Sequence, residues 1–186
     1  MKTLILTGRR SVMLAVLLAA ATGAASAVNQ SATRFEEDFD DTAKTWQEIA
    51  IQLPKQPDLK ALLPFDVSAT ATQTFAIAPE SVTVGSDGVV RYVLVAESAS
   101  GVRNVSYEGL RCSSLESKLY AFGHSDGSWT RSRRDSWLPI TGGMANREHA
   151  ALADGYFCEG RTVAGDTASM LRRLTLHKPL NPRAYP

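Results

Sequence analysis

Residues 89–96 have the sequence VVRYVLVA, in which apolar side chains occupy both faces of an extended chain. A strand of this kind is covered on both sides, so the segment predicts the central strand of a sheet. Asp87-Gly88, immediately before it, is a dipeptide typical of tight hairpin turns. The polar residues 97–101 after it end in Gly101 and predict a second hairpin turn. The sheet should therefore continue on both sides of this strand through antiparallel neighbours.

Several other segments have strand patterns and are separated by turn residues. In chain order they are residues 46–53, 72–78, 81–84, 102–112, 118–124 and 128–133. Asp126-Gly127 separates the last two and is again a turn dipeptide. Pro54, Pro57 and Pro64 exclude a long helix or regular sheet between the first two. This succession of short strands predicts an antiparallel meander.

The C-terminal part of the chain predicts helices. Residues 144–156 are rich in helix formers and have Gly155 near their end, which is typical of a helix stop. Asp166 is a suitable N-cap for a second helix over residues 166–174. Strands followed by helices predict the α+β class, here a meandering antiparallel sheet with two C-terminal helices packed on one face or end.

Cys112 and Cys158 are the two cysteines of the chain. In an oxidising compartment such a pair predicts a disulfide, which would join the first helix to the end of the strand that carries Cys112. A redox role is the alternative, but the spacing is not C-x-x-C and neither cysteine stands at an evident helix start. The sequence therefore favours one structural disulfide.

Residues 1–27 have the three parts of a secretory signal peptide. The cations within residues 2–10 precede an apolar run, and residues 25–27 (ASA) have the small-x-small pattern of a cleavage site. About 15 apolar residues are too few for a retained membrane anchor. The arginine pair at 9–10 also suggests twin-arginine export, but the residues that follow fit that signal loosely. We therefore expect export by the general secretory route.

Cleavage after Ala27 should leave a periplasmic chain that starts at Val28. Without the three cations of the signal peptide, 17 cations face 19 anions, a formal charge of −2. That balance argues against nucleic acid as a partner, and no later apolar run predicts a transmembrane span. We expect an acidic, irregular lead-in over residues 28–45, a single α+β domain over residues 46–178 and an extended tail over residues 179–186.

The strongest candidate binding segment is WTRSRRDSW at residues 129–137. Guanidinium groups beside indoles suit an anionic polymer, a lipid headgroup or a phosphate, and indoles can also stack on sugars. The alternative is an edge strand that its charges protect, with the indoles packed inward. The candidate binding residues are Trp129, Arg131, Arg133, Arg134 and Trp137.

A turn over residues 98–101 would set the register of the two strands that it joins, with Glu97 opposite Val102. The same register puts Arg91 opposite Glu108. This interaction would either fix the register as a structural ion pair or line a pocket.

The pocket interpretation gives an alternative function, a periplasmic hydrolase that uses Arg91, Glu108 and His124. No serine lies in a G-x-S-x-G motif, and His124, His149 and His177 lack metal-ligand spacing. We therefore predict no catalytic residue, no metal site and no cofactor. The interpretation that we favour is a non-enzymatic binding or accessory module of the cell envelope, with an envelope protein, a glycan or an anionic lipid as its partner.

Several strings occur together along the chain. They are W-x-E at residues 46–48, the prolines at 54, 57 and 64, SVTVGSDGVVRY at 81–92, VSYEGLRC at 105–112, YAFG at 120–123, the Trp129 and Trp137 pair and YFC at 156–158. In this combination, over roughly residues 34–175, the chain resembles the cryptic neisserial protein-like family, a group of bacterial envelope proteins. The resemblance implies a periplasmic location and no particular activity. Many members look like lipoproteins, whereas this chain has no cysteine near its cleavage site.

The signal peptide yields a first prediction: the exported protein begins at Val28. Replacing Ala25 and Ala27 by leucine removes the small side chains that the cleavage site requires and should leave the precursor uncut. N-terminal sequencing and the intact mass of the exported protein test this. An exported wild-type chain that retains residues 1–27 would contradict the prediction.

Overall fold

The structure, a computed structural model, describes residues 45–143 and 145–182. These residues form a seven-stranded antiparallel sheet in which β1 to β6 lie side by side in chain order and β7 pairs with β5. The strands are β1 Leu63–Phe65, β2 Gln73–Val84, β3 Val89–Ser98, β4 Arg103–Arg111, β5 Glu116–Gly123, β6 Trp129–Arg131 and β7 Leu138–Pro139. The predicted meander is confirmed.

The helical elements follow the sheet along the chain. They are α1 Arg147–Leu152, a π-helical turn Ala153–Phe157, the short hairpin of β8 Cys158–Glu159 and β9 Thr162–Val163, and α2 Thr167–Thr175. The predicted N-cap is confirmed, because Asp166 accepts a hydrogen bond from the backbone N–H of Ser169 at 2.8 Å. The first helix is shorter than residues 144–156, since its C-terminal part widens into the π-helical turn.

The central strand is buried on both faces, as VVRYVLVA predicts, and every residue from 89 to 95 is buried. On one face the helices cover the sheet, and the rings of Tyr92 and Phe157 are 5.2 Å apart. On the other face Val93 belongs to a second core cluster with Tyr107 and Tyr120. We call these the helical face and the strap face of the sheet.

An extended segment, residues 45–57, covers the strap face, and we call it the strap. Residues 46–53 were expected to form a strand, but they pair with no neighbour. The apolar side chains of Ile51 and Leu53 pack on the second core cluster. The carboxylate of Glu48 accepts hydrogen bonds from Tyr120 at 2.5 Å and from Lys118 at 2.9 Å. Side chains, not a backbone ladder, therefore hold the strap.

The register of β3 and β4 differs from the predicted one by one residue. The turn is closed by the backbone N–H of Ser98, which donates to the carbonyl of Val102 at 2.9 Å, so the turn is one residue longer than expected. Tyr92 therefore lies opposite Glu108, and Arg91 lies opposite Gly109. Because neighbouring residues of a strand point to opposite faces, Arg91 is on the strap face and Glu108 on the helical face. The predicted Arg91–Glu108 pair was wrong for this reason.

The predicted disulfide between Cys112 and Cys158 is confirmed, with the two Cα atoms 5.6 Å apart. It joins the chain just after β4 to the chain just after the π-helical turn, so it fixes the helical layer to the sheet. Both cysteines are almost completely buried.

Loss of this disulfide should strongly lower stability. A cross-link across 46 positions restricts the unfolded chain by about 4 kcal/mol in the loop-entropy estimate. We expect the double variant Cys112→Ser, Cys158→Ser to lose roughly that free energy of unfolding in urea titrations. The wild type under reducing conditions is the matched control and should behave similarly. A loss below about 1 kcal/mol in both would contradict a stabilising role of the cross-link.

Candidate ligand-binding groove

A cavity of about 580 Å³ opens on the helical face, between β5, residues 130–138 and the start of α1. Its lining brings together Arg131, Arg133 and Arg134, the three arginines of the predicted binding segment. We call this space the arginine cavity.

The three arginines stand where the chain leaves the edge of the sheet. β6 ends at Arg131, and the backbone N–H of Ser132 still donates to the carbonyl of Tyr120 at 2.8 Å. Ser132 Oγ then accepts from the backbone N–H of Arg134 at 3.2 Å in a local turn. All three side chains are exposed, and none forms an ion pair with a described residue. Unpaired guanidinium groups beside a cavity can bind an anion through charge-assisted hydrogen bonds.

The two tryptophans predicted with them lie on the strap face instead. The indole N–H of Trp129 donates to the carbonyl of Pro54 at 2.8 Å. Trp137 packs edge-on against Trp46, with ring centroids 5.7 Å apart. The structure thus divides the predicted set: its arginines line the cavity, and its indoles pack against the strap.

Glu108 and His149 form a hydrogen-bonded pair in the wall of the arginine cavity. Glu108 is only 6% exposed, its Oε2 lies 2.8 Å from His149 Nε2, and its Oε1 accepts from the Ser106 hydroxyl at 2.7 Å. Burial alone would raise the pKa of Glu108, but His149 and Ser106 hold it below the ordinary value of 4.5. Burial alone would lower the pKa of His149, but Glu108 and then Glu148 raise it above 6.5. Each partner therefore favours the charged form of the other.

Sequence reasoning did not single out His149, because its partner is 41 positions away in the chain. The available signal was a carboxylate in the middle of a strand that is buried in the sheet. Such a group requires a cation or donors from the covering layer, and α1 supplies His149.

A second cavity, of about 390 Å³, adjoins the first. Glu108, Leu119 and Phe122 line both cavities. Phe122 is 48% exposed although it belongs to β5, so a large aromatic side chain stands at the junction. We call the two cavities together the groove.

The residues of the alternative hydrolase pocket do not come together. Arg91 lies on the strap face, where its guanidinium donates to both carboxylate oxygens of Asp87 at 3.1 and 2.6 Å. His124 is exposed at the end of β5, and its Nε2 is 2.8 Å from Thr130 Oγ1. Of the three predicted residues, only Glu108 lines the groove.

Residues 45–143 and 145–182 contain no group of three or more histidine, cysteine or acidic side chains that could hold a metal ion. In the same part of the chain, no helix has the length and apolar character needed to cross a membrane.

Comparison with known proteins gives one family. The family described as "CNP1-like family" matches residues 41–175, a range that includes β1 to β9 and α2. "Cryptic neisserial protein 1" of Neisseria gonorrhoeae (strain ATCC 700825 / FA 1090) is 28% identical over 190 residues, which cover 89% of this chain and 92% of that protein. No solved structure matches. The resemblance that the sequence strings predicted is confirmed.

The Glu108–His149 pair predicts a pH-dependent stability. Because the pKa of His149 is raised on folding, its contribution is complete below pH 6.5 and is lost as the pH rises through the raised value. Because the pKa of Glu108 is lowered, its contribution is present above pH 4.5 and is lost at more acidic pH. His149→Gln should cost ~3 kcal/mol below pH 6.5, since it leaves a buried carboxylate without its cation.

Urea unfolding of wild type and His149→Gln across this pH range measures the effect, and the difference between them should shrink on the alkaline side. The double variant Glu108→Gln, His149→Gln is the control and should be less destabilised than the two single variants would sum to. A difference that does not change with pH would contradict the assignment.

Proposed function

The chain belongs to the CNP1-like family, and we propose that it is an exported, non-enzymatic binding module of the cell envelope that holds an anionic ligand in the groove. One observation carries this proposal. Three exposed guanidinium groups line a cavity, and none of them is within ion-pair distance of a carboxylate among the described residues, although the charge of Asp135 acts on Arg131 from farther away.

The energetic argument favours an anion over a neutral ligand. A hydrogen bond to a charged group contributes about 1.5–3 kcal/mol, roughly twice a neutral one. Arg131, Arg133 and Arg134 supply several such donors to one space, so an anionic group there can be held by more than one side chain. We assign ligand contact to these three, and a supporting role to Trp129 and Trp137, which hold the segment against the strap.

The disulfide and the N-terminal sequence support the proposed location. A buried, structural disulfide is typical of proteins in oxidising compartments. We propose that residues 1–27 are removed after Ala27 and that the mature protein is periplasmic. In this proposal, residues 46–178 are its single domain, preceded by the lead-in 28–45 and followed by the tail 179–186.

A binding role is also favoured by the surroundings of His149. Its Nε2 lies 2.8 Å from Glu108, and its Nδ1 is shielded from solvent and lies 3.4 Å from Glu148. In the described part of the chain, the imidazole is thus not hydrogen-bonded to a serine or threonine hydroxyl. An imidazole in that position stabilises a buried carboxylate and is poorly placed to take a proton from a substrate.

Substitution of the arginines tests the proposed function. Arg131→Gln, Arg133→Gln and Arg134→Gln together should lower the affinity for inorganic pyrophosphate at least tenfold, because charge-assisted hydrogen bonds are lost. Isothermal titration calorimetry at low ionic strength is the measurement, with circular dichroism to verify folding.

The matched control removes the same charge elsewhere, through Arg103→Gln, Arg161→Gln and Arg172→Gln, whose side chains do not line the groove. This control should bind like the wild type. Equal loss in both triple variants would indicate a general charge effect, and equal binding by the groove variant and the wild type would refute the assignment.

A further inference from the structure

We infer that the ligand of the groove is a single-chain amphiphile, with its anionic head on the arginines and its alkyl chain along the second cavity. The inference rests on the proposed function, since it places the anionic group in the arginine cavity. It adds the chemical class of the remainder of the ligand.

The apolar part of the groove is continuous. Leu119 and Phe122 line both cavities, so an apolar surface extends from the arginine cavity into the second one. Leu138, at the arginine end, is 42% exposed. An alkyl chain that covers these leucine and phenylalanine side chains would remove apolar surface from water, which favours binding.

The floor of the second cavity is apolar apart from one carboxylate, and its rim is polar. The buried members of its lining are Leu94, Val67 and Glu108, at 4%, 8% and 6% exposure, and the carboxylate of Glu108 is hydrogen-bonded to Ser106 and His149. Its hydroxyl and amide groups, such as Thr70, Thr72 and Asn104, are exposed at the margin. An alkyl chain can lie against Leu94 and Val67, whereas a sugar would have to compete with Ser106 and His149 for the carboxylate of Glu108.

The junction between the cavities does not repel an anionic head. The carboxylate of Glu108 is compensated by His149 at 2.8 Å. Glu148, which lines the second cavity, has a carboxylate oxygen 3.4 Å from His149 Nδ1. Both carboxylates at the junction are therefore in contact with His149, and neither forms an ion pair with the three arginines.

The size of the second cavity favours one alkyl chain. Its volume of about 390 Å³ is near the lower end of the range of about 300–1,000 Å³ that is typical of small-molecule sites. The inference is thus a ligand of the chemistry of a fatty acid or a single-chain phospholipid.

A series of alkyl phosphates tests this inference. Butyl, hexyl and octyl phosphate share one head and differ only in chain length, and all can be used below their micellar concentrations. We expect the affinity of the wild type to rise about fourfold for each added methylene, because each buried CH₂ contributes a constant increment. From butyl to octyl phosphate this amounts to an increase of about 200-fold.

A variant at the junction locates the chain in the groove. Phe122→Ser should weaken octyl phosphate at least fivefold, and by a clearly larger factor than it weakens inorganic pyrophosphate, since it removes an apolar wall and no charge. Phe122 is half exposed, so the change spares the core. Val102→Ser is the matched control, because Val102 is 59% exposed and does not line either cavity.

The outcomes separate this inference from the proposed function. If pyrophosphate binding depends on the arginines but the alkyl phosphates show no dependence on chain length, the amphiphile is excluded and the anion site remains. If octyl glucoside binds as tightly as octyl phosphate, the alkyl chain binds without help from the arginines, and the placement of the anionic head on them is overturned. Unchanged octyl phosphate affinity in Phe122→Ser overturns the assignment of the chain to this groove.

Discussion

Burial of β3 on both faces is the constraint on which the rest of the structure depends. A strand with seven consecutive buried residues, 89 to 95, requires a covering layer on each side of the sheet, and the chain supplies two different ones. Helices linked by Cys112–Cys158 cover one face. The strap covers the other and is held by Glu48, Trp46 and the carbonyl of Pro54 through side-chain hydrogen bonds and ring contacts. The two faces consequently have different chemistry, and the groove lies on the helical one.

The groove arises where coverage of the helical face is incomplete. β6 is only three residues long, and the chain beyond it leaves β5 until β7 pairs with the start of that strand. Arg131 ends β6, Arg133 and Arg134 follow it outside the sheet, and none of the three forms an ion pair with a described carboxylate. Glu108, in contrast, is deep in the wall and fully compensated. The lining of this cavity thus has exposed arginines, which a ligand can reach, and a buried Glu108–His149 pair, which stabilises the fold.

The sequence predicted those features that depend on local pattern. VVRYVLVA identified the central strand, Asp166 the start of α2, and the two cysteines the cross-link. Features set by tertiary geometry were not predictable in this way. One extra residue in the turn after β3 moved Arg91 and Glu108 to opposite faces. The three arginines of residues 129–137 line one cavity, but period and composition do not show on which side of the edge each indole packs. The pairing of Glu108 with His149 was not predictable either, because it requires the helical layer to be in place.

Native mass spectrometry of the protein isolated gently from its native source tests the binding of an acidic amphiphile in the groove most directly. We expect a bound acidic amphiphile on the wild type and none on the variant in which Arg131, Arg133 and Arg134 are all glutamine. A bound species without an acidic group, or the same bound species on both proteins, would contradict it.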